Sequence, residues 1–428
     1  MKKEILNNQV KPLNLEKSYQ MFNEAKHLTP GGMTGIRRPE KLIYGEYPVF
    51  FEKVAEGMHV LDVDGNDYID FQCSWGPIIL GFVEAEVNNA VINRINKGFC
   101  FSGIQAEMNK LEEKLKELIP CCEKSIITKT GSDATTLALR MARAYTGKSK
   151  IISQGFHGWH DWCSSENLSS EKSVPSQVKN LTIITPWGNL DKLEQVLSSD
   201  EDIAAIITTP IFHELSLPLR SSVKYLQGLR KLANKYGVVL VFDEIRTGFR
   251  LAMGGAQEYF GVTPDLGCFA KAMANGYAIA AVCGKKDIVD MAIDNLFVTS
   301  TYFPNSLEIV AALKTIEIIE RENVIEAIQE KGSYLKKGCD EVTSKYNNIK
   351  VSYASEPNLS IYPHILFDKE QENPNEKRDY FFSYLIRKGI YLHPSHHGYI
   401  SFRHTKKDLN YTIEVIDEAI NFLNKQYL

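Results

Sequence analysis

Residues 238–250, VVLVFDEIRTGFR, carry five apolar side chains straight into two carboxylates, Asp243 and Glu244. The run does not alternate with polar residues, so it predicts a strand covered on both faces, as a parallel sheet requires. Moving outward, SIITK, KIIS, LTIIT and IAAIIT are similar short runs. Helical stretches such as MNKLEEKLKELI and ATTLALRMARAYTG separate them. Strands that alternate with helices predict an α/β fold with right-handed crossovers. Ligands of such sheets sit beyond the carboxyl ends of the strands, so Asp243 is expected to point into a crevice. The same carboxylate would also serve as a helix cap, or pair with Arg246 or Arg250. No histidine or second acidic cluster lies near it in sequence to make a metal site.

The flanks read differently. Residues 14–27 predict an amphipathic helix ending before TPGGMTG, and residues 48–71 alternate around a hairpin turn at Asp64-Gly65. After the long helix LEIVAALKTIEIIERENV, strand candidates KVSYAS, LSIYPHILF and GYISF are followed by a helix from Lys406. We therefore expect an N-terminal segment at 1–65, a large domain at 66–320 and a smaller α+β domain at 321–428. The first of these is expected to pack with the last.

A chain of 428 residues fits one large domain plus a smaller one. Its 49 Lys and Arg against 53 Asp and Glu leave a formal net charge of −4, with no basic excess for nucleic acid or an anionic membrane. No apolar stretch is long enough for a signal peptide or a bilayer span. The eight cysteines include no C-x-x-C pair, which favours a reducing, cytoplasmic setting.

Three further segments carry chemistry. Twenty-eight residues after Asp243, Lys271 lies in the apolar stretch DLGCFAKAMANGYAIAAV. Burial there lowers the pKa of an amine and frees it to attack a carbonyl, although a lysine stem also snorkels its charge to water. In KTGSDATTLALRMARAYTG a strand passes through Thr130-Gly131-Ser132 into a helix, an arrangement that offers N–H groups to an anion. An ordinary cap from Ser132 or Asp133 would read the same way. In QGFHGWHDW, His157 and His160 make a poor zinc pattern without the glutamate of H-E-x-x-H, and Phe156 offers a flat ring or a core side chain. Taken together, an anion cradle, an aromatic face, a carboxylate and a buried lysine are what pyridoxal 5'-phosphate requires.

The ordered motifs LTPGGMTGIRR, VLDVDGNDYIDFQCSWGPIILG, GSDATTLALRMARAYTG, FHGWHDW, FDEIRTGFRLAMGGAQEYFGVTPDL, FAKAMANGY, STYFPN and ISFRHTKKD resemble the class III aminotransferases of fold type I. The likeness is strongest to glutamate-1-semialdehyde 2,1-aminomutase and its aminotransferase paralogues. It implies a large domain with a mostly parallel seven-stranded sheet flanked by helices. It also implies an amino group moved from an amino-acid donor to an aldehyde or ketone, by way of the lysine aldimine and pyridoxamine phosphate. Residue by residue, it implies Lys271 as the Schiff-base lysine, Asp243 at the pyridine nitrogen and Gly131 and Ser132 at the phosphate. Phe156 is implied against the ring, and Thr301 at the phosphate of a neighbouring subunit in a homodimer. Trp75, Arg38 and His396 are implied on the substrate side, with no metal.

Departures fall on that side. Thr209-Pro210 stands where the family usually has Glu-Pro, and His396 where the aminomutase has glutamate. WCSSENLSSEKSVPSQ replaces a glycine-rich loop, and Lys129 and Asp133 replace Asn and Glu. These changes argue for a transaminase, with an aminomutase or an epimerase as alternatives. The paralogues suggest a sugar-derived or phosphorylated carbonyl acceptor.

Overall fold

The computed structural model describes residues 3–33, 46–47, 49–167, 172–213, 217–303 and 305–426. It divides into two compact units, one of residues 84–213 and 220–325, the other of 1–83, 214–219 and 326–428. The division falls at 83/84 and 325/326, against the 65/66 and 320/321 expected from sequence.

The larger unit is built on seven strands: β4 (Lys124–Thr128), β5 (Lys150–Gln154), β6 (Thr182–Ile184), β7 (Ile203–Thr208), β8 (Val239–Asp243), β9 (Leu266–Phe269) and β10 (Ala280–Gly284). Their order is β4-β10-β9-β8-β7-β5-β6. Every pairing is parallel except those of β10, which runs against both β4 and β9. All six residues of β7 are buried, which explains its unbroken Ile and Ala run: both faces are covered. Helix Gly131–Thr146 covers one face. Its Ala134, Leu137, Ala138 and Met141 pack in one cluster with Ile151, Ile207, Val241 and Cys268. Each large side chain buried there contributes about 1.5–3 kcal/mol.

Register fixes what stands at the carboxyl edge. Gln154 pairs with Thr208, Thr208 with Phe242, and Asp243 with Cys268. One step further along β5, β7 and β8 come Gly155, Thr209 and Asp243, side by side.

The smaller unit holds a sheet of β1 (Phe51–Glu56), β2 (His59–Asp62), β3 (Asp67–Asp70) and β13 (Ile390–Tyr391), plus a ribbon of β11 (Val351–Tyr353) and β12 (Ile365–Phe367). β13 lies parallel to β3, so the two ends of the chain share one sheet. The turn between β2 and β3 holds Gly65 at φ 87°, which an L side chain rarely adopts. GYISF, expected as a strand, is an irregular segment that ends in a turn at Phe402. Tyr399, Ile400 and Phe402 donate their N–H groups to Phe71, Ile361 and Ile79, on three different segments, so no ladder forms. Helix Lys406–Gln426 follows. Among the described residues, no helix is long and apolar enough to cross a membrane, and no cluster of His, Cys, Asp and Glu suits a metal.

Candidate active site

Five strand ends of the larger unit meet at one edge. Lys129-Thr130-Gly131 follows β4, Gly155-Phe156-His157 follows β5 and Thr209 follows β7. Asp243 closes β8, and Lys271 comes two residues after β9. The parallel sheet brings together residues that lie as far apart as 131 and 271.

Helix Gly131–Thr146 begins with a capping box. Thr130 Oγ1 accepts from the Asp133 N–H at 3.2 Å, and Asp133 Oδ2 accepts from the Thr130 N–H at 2.8 Å. The cap is therefore Thr130, neither Ser132 nor Asp133. The first-turn N–H groups of Gly131 and Ser132 have no acceptor inside the helix, which suits an anion. Two glycines keep this turn tight. A Cβ on Gly158, at φ 122°, would lie 2.3 Å from Ser132 Oγ, and one on Gly131 would lie 2.6 Å from Ile245 Cδ1. Thr135 Oγ1 donates to the His157 carbonyl at 2.9 Å and ties the 155–158 loop to the helix.

Asp243 is 5% exposed and its carboxylate is oriented from two sides. Oδ2 lies 2.7 Å from His157 Nδ1, and Oδ1 accepts from the Ile245 N–H at 3.1 Å. His157 is 1% exposed, and its Nε2 has no hydrogen-bond partner. From sequence this histidine is only a poor zinc-ligand candidate. Its actual partner is 86 residues away, and only its place directly after a strand hinted at the site. Glu244 faces inward. It accepts from the Thr247 hydroxyl and from the N–H groups of Ala256 at 2.8 Å and Gln257 at 2.9 Å. Burial pushes its carboxyl up to about 7, against those hydrogen bonds.

Lys271 is half-buried, with φ 49°, at the start of the short 3₁₀ turn Lys271–Ala274. A left-handed conformation at a non-glycine residue stores strain of the kind that gathers at functional sites. Phe156 is 52% exposed, a flat ring standing off the edge. An anion cradle whose glycines leave no room for a side chain, an oriented buried carboxylate, an exposed ring and a lysine on one edge fit pyridoxal phosphate.

The other expected residues stand on other segments of the chain. Thr301 is exposed in a turn, and Asn305 caps helix Ser306–Arg321 by accepting from the Leu307 N–H at 3.2 Å, so Thr301 is not the cap. Trp75 and His396 belong to the smaller unit, with ring centroids 5.1 Å apart. Arg38 lies outside the described residues.

Residues 44–420 match the family model for class-III aminotransferases. The chain belongs to that family. It is 47% identical to the 3-aminobutyryl-CoA aminotransferase of Cloacimonas acidaminovorans, over 96% of this chain and 99% of the relative. It is 32% identical to the glutamate-1-semialdehyde 2,1-aminomutase of Fusobacterium nucleatum, over 96% and 98%. Among solved structures, the internal-aldimine form of the FumI protein of Sphingopyxis sp. MTA144 is similar, with TM-score 0.88, 27% identity and coverage of 96% and 97%. The class III aminotransferase is thus a fold type I enzyme that uses pyridoxal phosphate and moves an amino group between small molecules. When bound, the cofactor supplies an electron sink for the carbanion at the amine-bearing carbon.

Proposed function

We propose that this aminotransferase exchanges the 3-amino group of an acyl thioester of the 3-aminobutyryl-CoA type with a 2-oxo acid. The thioester is left as a 3-oxo compound and the 2-oxo acid becomes an amino acid. Run in reverse, an amino-acid donor aminates a ketone. The carrying observation is the 47% identity along the whole 3-aminobutyryl-CoA aminotransferase. The departures at Thr209 and His396 argue against the tetrapyrrole-pathway aminomutase, and a thioester takes the place of the sugar-derived acceptor.

In this reading Lys271 holds the cofactor and, once released, moves the proton at the substrate carbon. Asp243 keeps the pyridine nitrogen protonated, Gly131 and Ser132 hold the phosphate, and Phe156 covers the ring. Trp75, Arg38 and His396 contact substrate. Thr301 reaches the phosphate of a second copy in a cytoplasmic homodimer. Exposed Phe297 and Tyr302, 82% and 59%, are close to Thr301 in sequence and support a covered face.

The test is a half-reaction. 3-Aminobutyryl-CoA added to holoenzyme should bleach the cofactor band and yield the 3-oxo thioester by mass spectrometry, and a 2-oxo acid should restore the band. A silent thioester alongside reactive free amino acids would end the reading. Turnover of glutamate-1-semialdehyde without a donor would favour the aminomutase, which the relatives at 32% identity keep as the second reading.

A further inference from the structure

The proposed thioester brings something that the amino acid does not. A coenzyme A tail ends in nucleotide phosphates, on an arm long enough to leave the crevice. Their charge calls for a cation just outside the crevice, held in place, with N–H donors not yet engaged.

Among the described residues, the segments that leave the carboxyl ends of β4, β7, β8 and β9 carry Lys129, Arg220, Arg246, Arg250 and Lys271. Lys271 is taken by the cofactor, and Lys129 Nζ is 2.8 Å from Glu308 Oε2. Arg250 is fully buried, and Arg246 is half-buried and already partnered. Arg220 differs. It is exposed, and its guanidinium lies over the Phe212 ring, 4.5 Å from the centroid. Its carbonyl accepts from the Phe212 N–H at 2.9 Å, so backbone and side chain are pinned to the same residue. Among the described residues, no ion pair or hydrogen bond engages its guanidinium. The ring occupies one face of the group and leaves the donors in its plane for phosphate oxygens. A side chain fixed beforehand also loses less rotamer freedom on binding.

Phe212 joins this cation to the crevice. It comes three residues after Thr209, at most about 11 Å of extended chain. Its ring centroid is 5.5 Å from that of Trp187, whose Nε1–H donates to the Thr209 carbonyl at 2.9 Å. Trp187 rests in turn on the buried Tyr225, with centroids 4.6 Å apart. An aromatic ridge thus leads from the edge residue Thr209 to Arg220, within the larger unit.

We propose that Arg220, fixed on Phe212, is a binding site for the nucleotide phosphates of a coenzyme A thioester. The inference rests on the reading that the substrate is such a thioester, and free coenzyme A tests it apart from that reading.

Calorimetry of the holoenzyme with free coenzyme A comes first. The wild type should bind it, more weakly as salt rises. Arg220→Met should raise Kd about tenfold, the scale of one charge-assisted pair. Arg220→Lys should recover part of the loss, since it keeps the charge without the fork. Stopped-flow half-reactions then compare 3-aminobutyryl-CoA with the same acyl group on N-acetylcysteamine, which has no nucleotide. Arg220→Met should raise the half-saturating concentration of the first about tenfold. The second, and both maximal rates, should change by less than about threefold. A holoenzyme that does not bind coenzyme A, or an Arg220→Met variant that binds it as the wild type does, would overturn the proposal. So would equal losses on the two thioesters, which would assign Arg220 to the fold of its segment. Arg220-dependent binding of coenzyme A by an enzyme silent toward both thioesters would uphold the site and end only the reading of the reaction.

Discussion

The carboxyl edge of the seven-stranded sheet and the loop carrying Trp75 hold their side chains by opposite means. At the edge, Gly155, Thr209 and Asp243 stand in line because three neighbouring strands share a register. The ladder does the positioning, and the one left-handed residue among them, at φ 110°, is Gly155, which carries that conformation without a side-chain penalty. In the smaller unit, Cys73, Ser74 and Trp75 have φ of 47°, 53° and 70°, three consecutive non-glycine residues in the left-handed region. Each costs about 1–2 kcal/mol. The turn persists because Asp70 Oδ1 accepts from the N–H groups of Gln72 at 2.5 Å and Cys73 at 3.0 Å, and Cys73 Sγ meets the Tyr399 carbonyl at 3.3 Å. The Trp75 ring then lies 5.3 Å from His393 and 5.1 Å from His396. A ladder spreads its support over many bonds, whereas a strained turn rests on a few local contacts around Asp70.

Substitutions sharpen that contrast. At the edge, Lys271→Ala should lower turnover by at least about 10³-fold while Tm without substrate stays near wild type, because the strand below it is intact. Substantial multiple turnover in this variant would remove Lys271 from the mechanism. Asp243→Asn keeps the shape but loses the charge, and steady-state assays should show about a 10²-fold lower rate.

In the strained turn the effect should appear as stability. Asp70→Ala leaves two buried N–H groups without their acceptor and should cost about 2–3 kcal/mol in urea unfolding, a factor of 30 or more in the folding equilibrium. A loss below about 0.5 kcal/mol would mean that the turn does not depend on Asp70. Back at the edge, His157→Gln removes one partner of Asp243 but spares the Ile245 N–H. A drop of about tenfold in rate is expected, with the cofactor absorption band shifted in its pH titration. A variant that titrates like wild type would show that His157 does not position Asp243.

The smallest effect concerns His59, whose ring nitrogens each lie 3.1 Å from a carboxylate, Asp67 on one side and Asp408 on the other. Partial burial opposes its charge, but the hydrogen bonds to Asp408 and Asp67 prevail and hold its pKa above the ordinary value. The folded state thus binds this proton more tightly than the unfolded chain. The stabilisation is complete below the unfolded pKa of about 6.5 and is lost as pH rises through the raised folded value. His59→Gln should cost at most about 1 kcal/mol at pH 5.5, given solvent screening, and little at pH 9. Equal Tm differences at both pH values would contradict the assignment.

Much of the larger unit is legible in consecutive residues. Five of its seven strands coincide with apolar runs, from SIITK to VVLVF, because burial on both faces leaves a local record. Asp243 stands out for the same reason, since a carboxylate ending such a run has only the crevice to face. β10 is different. Its AAVCG is as apolar as the parallel strands, and nothing in it announces that it runs backwards between β4 and β9. GYISF looked like a strand because alternation was all the sequence offered, while its three hydrogen-bonding partners lie on three separate segments.

The sequence by itself determined the fold class, which is written in runs of neighbouring residues whose burial and strand-end position follow from local pattern. The family was legible only through the resemblance of its ordered motifs. The pairing of His157 with Asp243, the cation of Arg246 over Phe156 and the left-handed turn at Trp75 were decided only by the tertiary structure. The first two join side chains 86 and 90 positions apart in the chain. The third sets ordinary residues in a conformation they do not choose alone, and only the contacts around the turn select it.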